Sequence, residues 1–338
     1  MTTLQEYIEK YKPAVILHSD EPYFPITIET YVKQCSLITK INDIDLTVIP
    51  KGNITPDNFM EACKKYKDIS FDCSGTDWKT FSYNNLSDEK YHPNNDMDKL
   101  ISYPRTEYST KILSQYAIMN DFHSTKSISK IDEHRESNAQ YPCYYMTRII
   151  DKDLVEIFYV FLYGYNDPYK IFGFEVGAHQ SDWEGIVVRV DKTKGLQRVY
   201  YKAHGDKDGY WLPTDKVQTI KINGVDRLVF YSARGSHGSY DSAVNTGDIR
   251  CCNSFIWPRI LCCANDIINT GTLLDTYTIP TLNNVYLGRV ICWGKWNVAT
   301  PYWPYDIKDN LTSNNWFRRL FCFLDCCNPD KYLTNGDL

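Results

Sequence analysis

The sequence predicts an all-β fold, a β-sandwich with helical and loop decorations, and three observations carry that prediction. Residues 154–163, "LVEIFYVFLY", are almost continuously apolar over the length of a strand, as a central strand covered on both faces must be. Residues 185–190 and 197–203 are joined by the polar turn "DKTKG", which suits two antiparallel neighbours. Within "VQTIKINGVDRLVFYSA", Asn223 and Gly224 accept the positive φ angles of a type I′ turn and mark a hairpin.

The elements follow in order. Thr3 and Glu6 form a capping box that opens a short helix. In "KPAVILHSDEPYFP", residues 14–17 form a short strand that ends in a polar elbow closed by prolines. Thr27 caps a helix over 28–37. "TPDNFMEACKKYKD" is a second helix, with Thr55 at the cap, Pro56 in the first turn and lysines in the last. Residues 70–140 turn polar, with "TKILSQYAI" as a helix inside them. After the hairpin, "NVYLGRVICWGKW" supplies another strand, Pro301 and Pro304 break the pattern, and "SNNWFRRLFCFL" closes as a helix. No linker divides the chain, so residues 1–338 are expected to form one domain. It carries a polar insertion at about 70–140 and a Cys-rich C-terminal extension at about 245–338.

Composition bounds the function. The 338 residues can bury a large core, and a net charge of −5 argues against a nucleic-acid partner, which would ask for a basic face. The start, "MTTLQEYIEKYKP", lacks the order of a secretory signal, and no apolar run reaches membrane-spanning length, so a soluble protein of the cytoplasm or cell interior is expected. The wealth of Asn, Ile, Lys and Tyr is what AT-rich coding produces, as in some protists and large DNA viruses. Twelve cysteines, three pairs of them vicinal, show no CxxC bite for zinc and read as free thiols of a reducing compartment.

The chemistry concentrates in "GAHQSDWEGIVVRV", residues 177–190. In an extended chain Asp182 and Glu184 share one face while Trp183 enters the core on the other. With His179 on the preceding loop, two hard oxygen ligands and an imidazole suit Mg²⁺, Mn²⁺ or Ca²⁺. The "DKTKG" turn brings His204 of "AHGDKD" beside the two carboxylates, giving a metal set of His179, Asp182, Glu184 and His204. A continued meander delivers His237 of "ARGSHGSY" to the same rim. His18, Asp20 and Glu21 of "HSDE" follow a strand as well, and with His237 and Tyr240 they complete a ligand rim. Tyr23, Tyr163, Tyr201, Trp211 and Tyr240 are aromatic platforms on which a sugar could stack. No serine-hydrolase elbow, Walker loop or complete EF-hand is present.

"LHSDEPYFP", "FYVFLYGYN", "GAHQSDWEGIVVRV", "YYKAHG" and "ARGSHGSY" resemble, in order, the motifs of the vacuolar protein sorting-associated protein 62 family. That resemblance implies a role in intracellular trafficking. The central motif also resembles the heptapeptide G-H-R-H-D-W-E of the necrosis- and ethylene-inducing-like cytolysins. Those are β-sandwich proteins with a divalent metal in a cleft that binds sphingolipid sugar headgroups. His179, Asp182, Trp183 and Glu184 match positions of that heptapeptide; Ser181 stands where it has a second His, and Ala178 is an extra residue. The leading reading is a metal-dependent binding module for a glycan or lipid headgroup. A metal-assisted hydrolase, with His204 or His237 as general base, and a structural or interaction protein of a virion or coat remain open.

Overall fold

A computed structural model describes residues 3–18, 21–78, 140–171, 174–203, 209–242, 268, 272–281, 284–288, 291–296, 298 and 301. The elements are α1 Leu4–Tyr11, β1 Pro13–Leu17, α2 Ile28–Lys33, β2 Ser36–Ile41, β3 Ile44–Ile49, α3 Pro56–Lys65 and β4 Ile69–Asp72. Then come β5 Gln140–Ile149, β6 Leu154–Asn166, β7 Tyr169–Ile171, β8 Phe174–Val176, β9 His179–Asp191, β10 Gly195–Tyr201 and β11 Tyr210–Pro213. The last are β12 Thr219–Ile222, β13 Val225–Ser232, β14 Ser239–Tyr240 and β15 Thr272–Pro280. The capping box at Thr3 and the caps at Thr27 and Thr55 form as the sequence requires.

The fold is mostly β, but it is not two stacked antiparallel sheets. One large mixed sheet runs β11-β10-β9-β6-β5-β15-β1-β13-β12, with β14 beside β13. Two of its pairings are parallel, β1 with β13 and β15 with β5. Parallel neighbours arrive over long connections, which local turn signals do not reveal. The sheet curls, because the chain after β10 meets β14 through Ala203 and Ser239, and the rings of Phe161 and Phe230 lie 5.3 Å apart. Helix α1 seats on the concave side: Tyr159 donates to the Ile8 carbonyl at 2.7 Å, and the Leu196 amide donates to the Tyr11 hydroxyl at 3.1 Å. On the other side sits a small sheet, β3-β2-β4. Trp183 crosses into it and meets Trp293 edge-on at 5.0 Å, and Trp293 in turn contacts Phe71 at 5.0 Å.

The central position of β6 is as expected, with nearly every residue buried. Glu156 interrupts its apolar run, and register explains why it is tolerated. Glu156 lies opposite Arg148 on β5 and Arg189 on β9, and both guanidiniums bond its carboxylate.

Several expectations change. The helix at 28–37 ends at Lys33, and Ser36–Ile41 becomes a strand, since its β-branched residues pair across a turn at Asn42 and Asp43, both with positive φ. No strand forms among the described residues of 284–296; Cys292 makes only a bridge to Ser70. The meander also fails. β11 takes the edge beside β10, and the β12–β13 hairpin goes to the opposite side of the sheet. The helices expected at 110–118 and 313–324, and the vicinal cysteines, lie outside the described residues.

Free thiols are not the rule throughout. Cys35 and Cys73 are joined as a disulfide with Cα atoms 4.1 Å apart, which ties the start of β2 to the end of β4. Cys63 and Cys143 are buried free thiols. Denatured, unreduced protein is therefore expected to show at least two fewer reactive thiols than reduced protein. Replacing both Cys35 and Cys73 by Ser should cost about 3 kcal/mol, read as a lower urea midpoint, with a steeper slope as the uncrosslinked chain exposes more surface. Equal thiol counts before and after reduction would contradict the bond.

Candidate functional site

The site forms where the ends of β1, β6 and β13 meet the start of β9. Its centre is His237, in the turn after β13, with no exposed surface. The turn closes on itself: the His237 amide donates to the Ala233 carbonyl at 2.9 Å, and the Ala233 amide donates to the Gly238 carbonyl at 3.0 Å. His237 itself takes a left-handed φ of 55°. Gly235, at φ 72°, could not carry a side chain, since a Cβ there would lie 2.7 Å from the Asp167 Cβ.

Two carboxylates flank the imidazole. Its Nδ1 donates to Asp182 Oδ2 at 2.9 Å, and its Nε2 lies 3.4 Å from Glu21 Oε1. The Tyr163 ring stacks flat on it at 3.8 Å, and Tyr23 meets it edge-on at 6.0 Å. Burial alone would pull the imidazole down, but the Glu21 charge and the Asp182 hydrogen bond outweigh it and push His237 up to about 10. For Asp182, burial works upward, and the hydrogen bond and charge of His237, with His179 and Lys202 behind them, bring it below the usual carboxylate range.

Glu21 also sews loops together. Its Oε1 accepts the Tyr23 amide at 2.9 Å and its Oε2 accepts the Gly235 amide at 2.6 Å. Tyr23 donates to Asp167 Oδ1 at 2.7 Å, and the Asp167 amide donates to the Gly235 carbonyl at 2.9 Å. Burial, with Asp167 beside it, pushes the Tyr23 hydroxyl far up.

The start of β9 departs from simple alternation. Ser181 has φ 56° although pairing with β6 keeps one register on either side of it, Tyr165 with Gln180 and Tyr163 with Asp182. Gln180 thereby turns to the small sheet, where its Oε1 accepts the Cys73 amide at 2.6 Å, while Asp182 faces His237. His179 Nδ1 donates to the Ser181 carbonyl at 2.7 Å, which steadies the kink. Further along, the Lys202 ammonium reaches the Trp183 carbonyl and lies 3.0 Å from Glu184 Oε1. The Lys202 side chain keeps 19% of its surface, while those of Asp182 and Glu184 beside it keep 9% and 8%.

Sequence reasoning thus brings Glu21, Asp182 and His237 to one place, by a route it did not foresee, because the curl of the sheet rather than a meander delivers His237. Among the described residues no group of three or more His, Cys, Asp and Glu side chains is set to hold a metal ion. Asp182 and Glu184 bond the protein's own cations, His237 and Lys202, which a divalent ion would have to displace, while His179 donates Nδ1 to a carbonyl and keeps Nε2 for another partner. His204 and Asp20 lie outside the described residues. His18, Glu21, His237 and Tyr240 are buried rather than lining an open rim. Tyr23, Tyr163 and Tyr201 are likewise packed inside, and the Trp211 ring is flanked by the guanidiniums of Arg189 and Arg198 at 4.6 and 4.1 Å. Sequence reasoning missed Lys202, which the hairpin placed next to the carboxylates, and Asp167, a polar residue directly after a buried strand.

Residues 168–249 match the family model of vacuolar protein sorting-associated protein 62, a stretch that holds Asp182, Glu184, Lys202 and His237 but not Glu21 or Asp167. No curated protein matches the chain. Among solved structures, NLPPya in complex with glucosamine is similar at 16% identity over 41% of this chain and 51% of that one, with a TM-score of 0.23. NLPPya in complex with mannosamine is similar at 15% identity over 41% and 50%, TM-score 0.23. The non-toxic HaNLP3 protein is similar at 15% identity over 45% and 57%, TM-score 0.24.

The raised His237 value sets a pH dependence. The folded state holds a proton that the unfolded chain releases near 6.5, so this stabilisation is full below 6.5 and is lost as pH rises through about 10. Asp182, being lowered, contributes in the opposite sense: its share is present above its ordinary 3.8 and is lost as pH falls through its folded value. Unfolding free energies from urea titrations between pH 6 and 10 should fall with a slope of at most about 1.4 kcal/mol per pH unit, and His237→Asn should remove that component. Imidazole ¹⁵N spectra should show His237 still protonated at pH 8. A neutral ring there would refute the assignment.

Proposed function

We propose that the cluster around Asp182, Glu184 and Lys202 is a binding site for a polar ligand rich in hydroxyl or amine groups, of the glycan or lipid-headgroup kind. One observation supports this above others. The Asp182 and Glu184 carboxylates stand beside the single Lys202 ammonium at the end of the cluster that keeps some surface, so this end carries more acceptors than donors. Such a balance suits ligands that donate hydrogen bonds and disfavours phosphates, which would meet like charge.

The division of labour within the cluster supports the same reading. The inner groups are tied to backbone amides and to one another, so they hold the outer groups without reorganising on binding. Glu184 and Lys202 are the exchangeable pair: a ligand ammonium can take the place of the Lys202 ammonium on Glu184, and ligand hydroxyls can bridge the two. Amino sugars carry both groups, and NLPPya holds them in its complexes.

Calorimetric titration with glucosamine, mannosamine, N-acetylglucosamine and inositol phosphate tests the proposal. The amino sugars are expected to bind, the phosphate is not, and Glu184→Gln should weaken binding about tenfold or more while the chain stays folded. Absence of binding across the panel, or an unchanged affinity in Glu184→Gln, would overturn it. Titration in EDTA separates this site from a metal-dependent one, since the affinity should not change.

A further inference from the structure

The inside of the curled sheet changes character toward the site. Deeper in it is apolar, where Phe161 of β6 meets Phe230 of β13. Two residues further along each strand, and so on the same inner face, stand Tyr163 and Ser232. Ser232 is in register with Ser239 of β14, so the two serines share that face, while Tyr231 and Tyr240 pair on the other and join a separate apolar cluster. Tyr163, Ser232 and Ser239 have no exposed surface, and among the described residues none of their three hydroxyls has a hydrogen-bond partner.

The three hydroxyls are brought to one place. Ser232 and Ser239 are directly opposite in an antiparallel pair, which sets their Cβ atoms about 5 Å apart. The Tyr163 ring lies flat on His237, in the turn that joins β13 to β14, at 3.8 Å. Burial, with the charges of Glu21, Asp182 and Glu184, pushes the Tyr163 hydroxyl well up, and Ser232 stands near enough to work against that rise. Tyr163 therefore keeps its proton and needs an acceptor for it.

A buried hydroxyl without a partner forfeits the hydrogen bonds it made in water, and native interiors leave few such groups. Three at one point share a simple solution, because an internal water makes about three hydrogen bonds to polar groups that the chain itself leaves over. Such a water accepts the Tyr163 proton and donates its own two protons to the serine oxygens. Three neutral hydroxyls above an apolar layer suit a neutral guest better than an ion.

We propose that Tyr163, Ser232 and Ser239 bind one ordered internal water, which bridges β6 to β13 and β14 across the curl. In the sheet order β5, β15 and β1 stand between β6 and β13, so no main-chain hydrogen bonds join these strands. The water joins them through side chains, and it fixes the ring on which His237 stacks.

A high-resolution crystal structure of the full chain should show one water within hydrogen-bond distance of all three oxygens. Urea titrations supply an independent reading. Tyr163→Phe, Ser232→Ala and Ser239→Ala are each expected to raise the unfolding equilibrium constant about fivefold or more, since each takes a partner from the water. The triple variant should raise it by less than the product of the three, because it expels the water outright. Hydroxyls that were merely unsatisfied would give the opposite sign, and a direct Tyr163–Ser232 hydrogen bond would leave Ser239→Ala neutral. The absence of a water at that point in the crystal, a neutral or stabilising effect of any single substitution, or effects that multiply in the triple variant would each overturn the proposal.

Discussion

The His237 cation, shut between Glu21 and Asp182, is the interaction on which the functional end of the molecule depends. Taking charges out of water is costly, and it is sustained only where each is met by opposite charge and by hydrogen bonds. Glu21 meets that condition with two backbone amides, and Asp182 with Nδ1 of the ring. The three residues come from the loop after β1, from β9, and from the turn after β13. β1 and β13 are neighbours in the sheet, but β9 lies four strands away from β1 in the sheet order, so the ion cluster and the Ala203–Ser239 bridge together fix how far the sheet curls. Removing the cation would leave two buried carboxylates facing each other, and the cost would fall on the curl before it fell on any one strand.

A second buried ionic row does comparable work at the far end of the same strands. Arg148, Glu156 and Arg189 lie in one line across β5, β6 and β9. A slip of one residue would carry Glu156 to the opposite face, away from both guanidiniums. β6 and β9 are thus pinned at both ends, by Glu156 at one and by Asp182 at the other. Between them the contacts are apolar side chains such as Phe158, Val160 and Val187, which would tolerate other registers.

Local chemistry made much of this legible in the sequence. The caps at Thr3, Thr27 and Thr55, the Asn223-Gly224 hairpin, the buried run of β6 and the inward Trp183 all follow from rules that act over a few residues. What escaped depends on contacts between distant segments. The parallel pairs β1–β13 and β5–β15 leave no turn to read, and β2 was hidden because Ser36 and Leu37 extend a helical pattern. At the site, residue types were read correctly and their partners were not. A sequence shows the anions Asp182 and Glu184 without showing the cations, His237 and Lys202, that fold against them. The alternation read from Asp182 to Glu184 holds, and the left-handed Ser181 just before it turns Gln180 to the small sheet.

The placement of β15 bears on how the chain comes to be folded. Thr272–Pro280 lies between β1 and β5, so the large sheet has no continuous hydrogen-bonded path until residues near the end of the described chain are in place. During synthesis the ribosome delivers β1, β5, β6, β9 and β13 well before the strand that joins their two groups. Pairing between such distant segments carries a high loop-closure cost and makes assembly slow. Until β15 arrives, β1 and β5 each present an open edge, the condition under which a nascent chain is most prone to pair with the wrong partner. The molecule completes its core by insertion rather than by growth from one edge, and its yield in cells should respond to the speed of translation and to holding chaperones more than its final stability would suggest.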